Sequence, residues 1–295
     1  MKASVFVYGA AVLCASVLTA CGNGGGGGGT ASNSLTGVFA DSPVSGLTYV
    51  INGLPAKTDA TGHFSYKAGD SITFKVGDIV LGTAIGKPFL SPVALVTGAT
   101  DETDNTVTNL SKFLQTIDDD NNPANGIQLT TAIHTAALFR SINFAQAPGN
   151  YDVDGAVTNA YGALTGAAAS GMHAAVTDAT AKSHLRSTLF AAMAGTYKGT
   201  FSGAGTGTFT FTTDSAGAIS LGQIVQAPSG AIIPIAGAIS SSGSFSSPNN
   251  AGLLNGTVVN LNFSGNVNAS TSTVSGTWAI TGVGINLVGT FSGQK

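Results

Sequence analysis

The last third of the chain is the part that most restricts its fold. From Thr200 to Lys295 the chain holds one acidic residue, Asp214, and one basic residue, Lys295 itself. Phe209 and Phe211 alternate there with threonines, and similar alternating segments follow at short intervals, separated by Gly, Ser and Asn. Such alternation between small-residue turns is typical of half-buried antiparallel strands.

The sequence therefore predicts a C-terminal antiparallel β-barrel or closed roll over residues 195–295, built from seven or eight strands. The pentapeptide GTFSG occurs at 199–203 and again at 289–293. This repeat suggests that the first and last strands pair and close the sheet. Trp278, the only tryptophan, is expected in the core of this domain.

The C-terminal part is poorly equipped for catalysis. General acid–base chemistry needs a positioned titratable group, usually with a partner, and Asp214 has none nearby in the sequence. Elsewhere the chain has neither a His-Glu-x-x-His pair nor a Gly-x-Ser-x-Gly elbow. We expect a protein that is not an enzyme and that holds no cofactor.

Composition narrows the class of partner. Charged residues make up 8% of the chain, against about 25% in typical globular proteins, so Ser, Thr, Asn and Gly must cover the surface. The net charge is −3 and no basic patch occurs, which argues against nucleic-acid binding. A neutral hydroxyl- and amide-rich surface suits a glycan or another envelope protein.

The N-terminus has the layout of an export signal. Lys2 precedes an apolar stretch over 3–17 that is too short to span a membrane stably. Leu18-Thr19-Ala20-Cys21 follows and resembles the lipobox of bacterial lipoproteins. The resemblance implies removal of residues 1–20 as a signal peptide and attachment of lipid to Cys21. An ordinary signal peptide with an incidental Cys is the alternative.

The lipobox also defines the cysteine chemistry and the location. The only other cysteine, Cys14, lies within the segment that would be removed, so no disulfide is expected. In lipoproteins of diderm bacteria, an Asp directly after the lipidated Cys commonly retains the protein in the inner membrane. Gly22 stands at that position here, so the resemblance implies that the protein is sorted to the outer membrane. Residues 21–34 comprise the lipidated Cys and a Gly-rich tether, whose flexible part spans roughly 20 Å on average. Exposure on the cell surface is the expectation, with a periplasm-facing protein as the alternative.

Residues 35–194 are predicted to form a small β-sandwich followed by helices. The string from Asp59 to Gly77, with aromatic or aliphatic residues alternating between Asp/Gly turns, resembles carboxypeptidase-regulatory-like and collagen-adhesin B-type β-modules. That resemblance implies a sandwich with a structural or binding role and no catalytic residues. Apolar spacing then predicts four helices, near 107–117, 131–144, 157–169 and 178–194. The fold class is thus mainly β with a helical insert.

An acidic loop between the first two predicted helices is the sharpest chemical signal in the chain. Asp118, Asp120 and Asn122 have the spacing of positions 1, 3 and 5 of a calcium-binding EF-hand loop. Pro123 and Leu129 stand where that loop needs Gly and Glu, so a complete EF-hand is excluded. Two interpretations remain, a shortened loop that binds a structural calcium ion and a solvated acidic turn.

The four histidines, His63, His134, His173 and His184, show no recognisable ligand spacing. His134 and His184 fall within predicted helices, where we expect them on the surface or at a cap. The expected function is that of a non-catalytic, lipid-anchored envelope protein with an adhesin-like or ligand-binding role. A structural or assembly lipoprotein facing the periplasm is the alternative.

Overall fold

The computed structural model describes residues 34–295, which form one compact unit. Within these residues, no helix combines the length and the apolar character needed to cross a membrane. The chain begins as a β-sandwich, continues through five α-helices and ends in an eight-stranded barrel-like sheet. The predicted fold class is confirmed.

Nine short strands belong to the first part of the structure. They are β1 (Leu35–Phe39), β2 (Val44–Ser45), β3 (Thr48–Ile51), β4 (Leu54–Lys57), β5 (His63–Tyr66), β6 (Ser71–Val76), β7 (Ile79–Ile85), β8 (Phe89–Leu90) and β9 (Ile127–Gln128). One sheet has the order β5-β1-β8 and the other β4-β3-β6-β7, while β2 pairs with β9. Phe39, Phe64 and Phe74 pack against one another between the two sheets, as the alternating pattern of these strands requires. The predicted sandwich is confirmed.

Five helices follow. They are α1 (Asn105–Thr116), α2 (Thr131–Ala136), α3 (Pro148–Val153), α4 (Gly155–Ala167) and α5 (Asp178–Met193). The carboxylate of Asp104 caps α1 by accepting hydrogen bonds from the N–H groups of Thr106 and Val107. Ten of the twelve α1 residues are buried, including polar ones, so this helix is the centre of the helical layer.

The prediction of one helix over 131–144 was wrong. Helix α2 ends at Ala136, and Phe139 adopts a left-handed conformation with φ 59° while its ring is almost fully exposed. A β-branched or aromatic residue in that region of φ/ψ space ends a helix, since the i→i−4 ladder cannot continue through it. Helix α3 was not predicted, and it begins at Pro148, whose fixed φ suits a first helical turn.

The barrel-like sheet contains all remaining strands. They are β10 (Gly195–Gly203), β11 (Thr206–Thr213), β12 (Ala218–Ala227), β13 (Ile232–Ala238), β14 (Ser244–Leu254), β15 (Thr257–Asn268), β16 (Thr273–Gly282) and β17 (Ile285–Gln294). Their order is β13-β12-β11-β10-β17-β16-β15-β14, and every pair is antiparallel. The first and last strands pair directly, with Phe201 opposite Phe291, so the pairing predicted from the repeated pentapeptide is confirmed.

Aromatic rings fill the interior of the barrel. Phe263 and Phe291 stack with ring centroids 3.9 Å apart. All eight aromatic residues of the barrel are buried; they are Tyr197, Phe201, Phe209, Phe211, Phe245, Phe263, Trp278 and Phe291. The indole N–H of Trp278 donates to the carbonyl of Ser202, so the prediction that Trp278 belongs to the core is confirmed.

The sheet closes at a seam between β13 and β14, where side chains replace most of the backbone ladder. The hydroxyl of Ser247 donates to the carbonyl of Ala236 and accepts from its N–H at 3.2 Å. Asn250 accepts from the same N–H at 3.2 Å. A bulge in β14 between Ser247 and Asn250 brings both side chains to this position.

One end of the barrel is covered by α5. Leu185, Leu189 and Met193 from this helix join the hydrophobic core of the barrel. The carbonyl of Met193 accepts hydrogen bonds from the hydroxyl groups of Tyr197 and Thr213 at 2.9 and 2.7 Å. Strand β10 therefore follows α5 directly in the chain. We call the end of the barrel that α5 covers the helix end.

Candidate functional site

The predicted lipidation residue, Cys21, lies outside the described residues, as do the signal segment and most of the tether. Lipid attachment therefore stays a prediction from the sequence. The described chain begins at the sandwich, and β8 of the sandwich contacts the helix end of the barrel, where the Ser270 hydroxyl donates to the carbonyl of Phe89 at 2.9 Å.

The acidic loop forms a tight turn stabilised by backbone N–H groups. Asp118 is buried, and its two carboxylate oxygens accept from the N–H groups of Asn122 at 2.9 Å and Gln128 at 2.8 Å. Asp120 is exposed and accepts from the same Asn122 N–H at 2.9 Å and from the Asn125 side chain at 2.8 Å. Of the three predicted calcium ligands, the structure therefore brings Asp118 and Asp120 together around the backbone of Asn122.

The proximity of these two carboxyl groups has an electrostatic cost. Burial, together with the neighbouring Asp120, raises the pKa of Asp118 to about 6, although the backbone hydrogen bonds from Gln128 and Asn122 oppose the change. Within residues 34–295, no group of three or more His, Cys, Asp or Glu side chains is arranged to hold a metal ion. Calcium binding at Asp118, Asp120 and Asn122 stays a prediction, which a direct titration can test.

Two histidines connect elements, in a way that the sequence pattern did not indicate. His134 is buried, contrary to the expected surface position, and its Nδ1 accepts from the N–H of Gly77 at 2.9 Å. Its Nε2 lies 2.8 Å from the carbonyl of Gly46, and burial lowers the pKa of this imidazole. His184 is half-buried and its Nε2 lies 2.9 Å from the hydroxyl of Ser42.

A cleft of about 700 Å³ opens among α1, α4 and α5. At its floor the nearly buried ammonium of Lys112 contacts the carboxylates of Asp152 and Asp178. Burial alone would lower the pKa of Lys112, but the hydrogen bonds to the two aspartates raise it above its ordinary value. The His173 ring lines the same cleft and has carbonyl oxygens at both nitrogens, those of Gly171 and Thr116. Because the Lys112 ammonium and the two carboxylates balance one another, we interpret the cleft as a packing boundary between helices.

The end of the barrel opposite α5 is another candidate for a binding surface. Four turns form it, at residues 204–205, 228–231, 255–256 and 283–284. We call it the free end. None of its turn residues is charged. The two charged side chains of the barrel after Thr200 lie elsewhere. Asp214 is in a turn at the helix end, and the ammonium of Lys295 donates to the carbonyls of Ala192 and Ala194 at the end of α5.

Three aliphatic side chains are exposed at the free end. Leu253 on β14 is directly opposite Val258 on β15, and Val283 begins the turn that follows Gly282, the residue opposite Val259. These side chains are 58%, 66% and 92% exposed. We call Leu253, Val258 and Val283 the apolar row. Contiguous exposed apolar patches are a common feature of interaction surfaces, so the row is the candidate binding surface of the described residues.

Sequence reasoning missed the apolar row, although a signal for it exists. In Leu253-Leu254 and Val258-Val259, two adjacent residues are both apolar, while strand alternation buries only one of each pair. No protein-family model, no curated protein and no solved structure matches this chain. The candidate site is therefore defined by the geometry of this molecule alone.

Proposed function

We propose that this protein is a non-catalytic, lipid-anchored protein of the bacterial outer membrane, exposed at the cell surface, which binds its partner through the free end of the barrel. The apolar row is the observation that carries the binding role. The lipobox that ends at Cys21 is the reason for the anchor, and Gly22 is the reason for the outer membrane.

The position of the free end suits this role. The described chain begins in the sandwich at Leu35, and the sandwich contacts the helix end of the barrel. The contact of the sandwich with the barrel at Phe89 and Ser270 therefore lies at the opposite end of the barrel from the apolar row. Such an arrangement leaves the row accessible to a partner when the protein is anchored.

The surface chemistry favours a protein partner with an uncharged, partly apolar face. Glycans are commonly held against exposed aromatic rings, and the barrel buries all of its rings. The row is aliphatic and its surroundings are hydroxyl and amide groups, which suit the core and rim of a protein interface. A neutral glycan remains the second class of ligand to be tested.

The anchor and the exposure can be tested together in the native host. Metabolic labelling with an alkyne analogue of palmitate should mark the wild-type protein and fail on Cys21→Ser. Proteinase K treatment of intact cells should then remove the full-length band while a periplasmic control survives. Trypsin would be unsuitable, because after Lys198 the only Lys or Arg is Lys295. Protection until lysis would favour the periplasm-facing alternative.

Partner binding can be tested with a photocrosslinking amino acid at Val258 and, as a matched control, at Ser275. Both positions are exposed on the outer face of the barrel, but Ser275 lies towards the helix end. We expect a discrete crosslinked adduct from position 258 alone. Equal adducts from both positions, or none from either, would count against the free end as the binding surface.

A further inference from the structure

The turn that joins β1 to β2 carries a buried carboxyl group with an incomplete hydrogen-bond set. Asp41 is fully buried, and its Oδ2 accepts from the side-chain amide of Gln115 on α1 at 3.0 Å. Its Oδ1 has no hydrogen-bond partner within residues 34–295. The hydroxyl of Ser111, one turn earlier on α1, is also buried, unpartnered and directed at this carboxyl group.

No cation balances this carboxyl group. The groups that face it are Ser111 and Gln115 from α1, and the imidazole of His184 from α5, which approaches the backbone carbonyl of Asp41. The four ion pairs of residues 34–295 do not include Asp41. An unpaired buried carboxylate is strongly unfavourable, whereas a carboxylic acid can donate its proton. A proton on this carboxyl group removes the unbalanced charge and makes the carboxylic acid a donor, for which the unpartnered Ser111 hydroxyl is an acceptor close by.

The residue after Asp41 attaches the same turn to α5. The N–H of Ser42 donates to the Thr188 hydroxyl at 3.0 Å, and the Ser42 hydroxyl lies 2.9 Å from Nε2 of His184. Ser42 has φ 55°, a conformation that non-glycine residues adopt only when their surroundings hold them. Because α5 packs into the barrel core, this turn is a connection between sandwich and barrel.

We propose that protonated Asp41 is a pH-sensitive latch, whose neutral acid holds the β1–β2 turn on α1 and α5 and whose ionisation releases that turn. The reaction is the loss of one proton from the Asp41 carboxyl group to water or buffer. The released turn exposes the carboxylate to solvent and separates Ser42 from Thr188 and His184. The sandwich then loses one of its attachments to the helix that covers the barrel.

The direction of the titration agrees with this geometry. Burial raises the pKa of Asp41 from 3.8 to about 7, against the lowering effect of the bonds from Gln115 and Ser111. A folded-state pKa above the unfolded value means that the contribution to stability is complete below about pH 3.8, falls as pH rises from there, and is lost once pH has passed about 7. Burial lowers the pKa of His184, which favours the neutral imidazole over a cation that could balance the Asp41 carboxylate.

Two measurements on the purified full chain test the latch. Carbon-detected NMR of the Asp41 carboxyl group should give an apparent pKa near 7. Hydrogen exchange of the Ser42 amide, corrected for the intrinsic pH dependence, should show an opening constant that rises about tenfold per pH unit between pH 3.8 and about 7 and levels off above that range. Asp41→Asn, which keeps one donor and one acceptor, should abolish the pH dependence, whereas Asp214→Asn, in an exposed turn, should retain it.

The proposal is overturned if the Asp41 carboxyl group titrates near pH 4, or if the opening constant of the Ser42 amide does not change with pH. It is overturned equally if Asp41→Asn shows the same pH dependence as the wild type. Should Asp41→Asn fail to fold, the titration and the exchange of the wild-type chain still decide. None of these readouts depends on lipid attachment or on the partner of the free end.

Discussion

The ring of Phe291 on β17 lies over the backbone of Gly276, its directly opposed residue on β16. A Cβ added at Gly276 would lie 2.7 Å from Cζ of Phe291. The same relationship recurs where Trp278 covers Gly289 and where Phe209 covers Gly199. At these positions the missing side chain of glycine leaves room for an aromatic ring from the neighbouring strand.

This relationship predicts that Gly276→Ala is destabilising. The methyl group must displace the Phe291 ring or the strand itself, and overpacking of a core costs about 1–3 kcal/mol in the free energy of unfolding. Gly205→Ala is the matched control, since the nearest atom to its added Cβ is 3.5 Å away, and we expect a change within about 0.5 kcal/mol. Urea denaturation of both variants is the measurement, and equal midpoints would contradict the role given to Gly276.

The seam predicts a local effect of Ser247→Ala. The substitution removes a hydroxyl that bonds both the carbonyl and the N–H of Ala236, leaving these backbone groups without that partner. We expect a loss of about 1–3 kcal/mol and faster hydrogen exchange in β13 before the other strands. Ser246→Ala, on the exposed face of the same strand, should leave β13 exchange unchanged. Uniform acceleration over all eight strands would argue against a seam.

The ion-pair cluster at Lys112 predicts unequal effects of its members. Lys112→Met leaves Asp152 and Asp178 facing each other across an apolar group, and we expect a loss of about 3 kcal/mol. Asp152→Asn alone should cost less than about 1 kcal/mol, because the ammonium keeps Asp178 and the Asp152 site is partly exposed. Thermal denaturation at pH 7 compares the two. A larger loss of stability for Asp152→Asn than for Lys112→Met would contradict the view that Lys112 is the residue on which the cluster depends.

The calcium prediction can be decided by the thermal midpoint with calcium or with a chelator. A bound ion would reduce the repulsion between Asp118 and Asp120, and calcium at a hundred times its dissociation constant would stabilise the fold by about 2.7 kcal/mol. Asp120→Asn should remove that gain, while Asp101→Asn, an exposed turn residue outside the loop, should retain it. An unchanged midpoint in millimolar calcium would leave the solvated acidic turn as the correct interpretation.

Much of the fold follows from local patterns in the sequence. The alternation around Phe209 and Phe211 and the repeated pentapeptide predicted strands and their closure, since both depend on a period of two residues. Helix α1 was predicted from the spacing of Val107, Leu110 and Leu114. Helix α2 was predicted too long, because its end depends on the left-handed backbone at Phe139, which no apolar period reveals.

The features of the candidate sites were harder to predict for a physical reason. Asp41 and His184 are separated by most of the chain before the barrel, and their relation depends on how the sandwich docks on α5. The apolar row depends on the pairing of β14, β15 and β16, which puts Leu253 opposite Val258 and the turn of Val283 next to the residue pair Val259 and Gly282. Such contacts form between residues far apart in the sequence, so local sequence patterns cannot predict them.

The place of β10 in the sheet has a mechanical consequence. This strand continues from α5 and is flanked on both sides, by seven registered residue pairs with β11 and six with β17. A force that pulled α5 away from the barrel along the direction of β10 would load both ladders in shear. Their hydrogen bonds would then share the force instead of breaking one after another, so the joint between the helices and the barrel should resist extension.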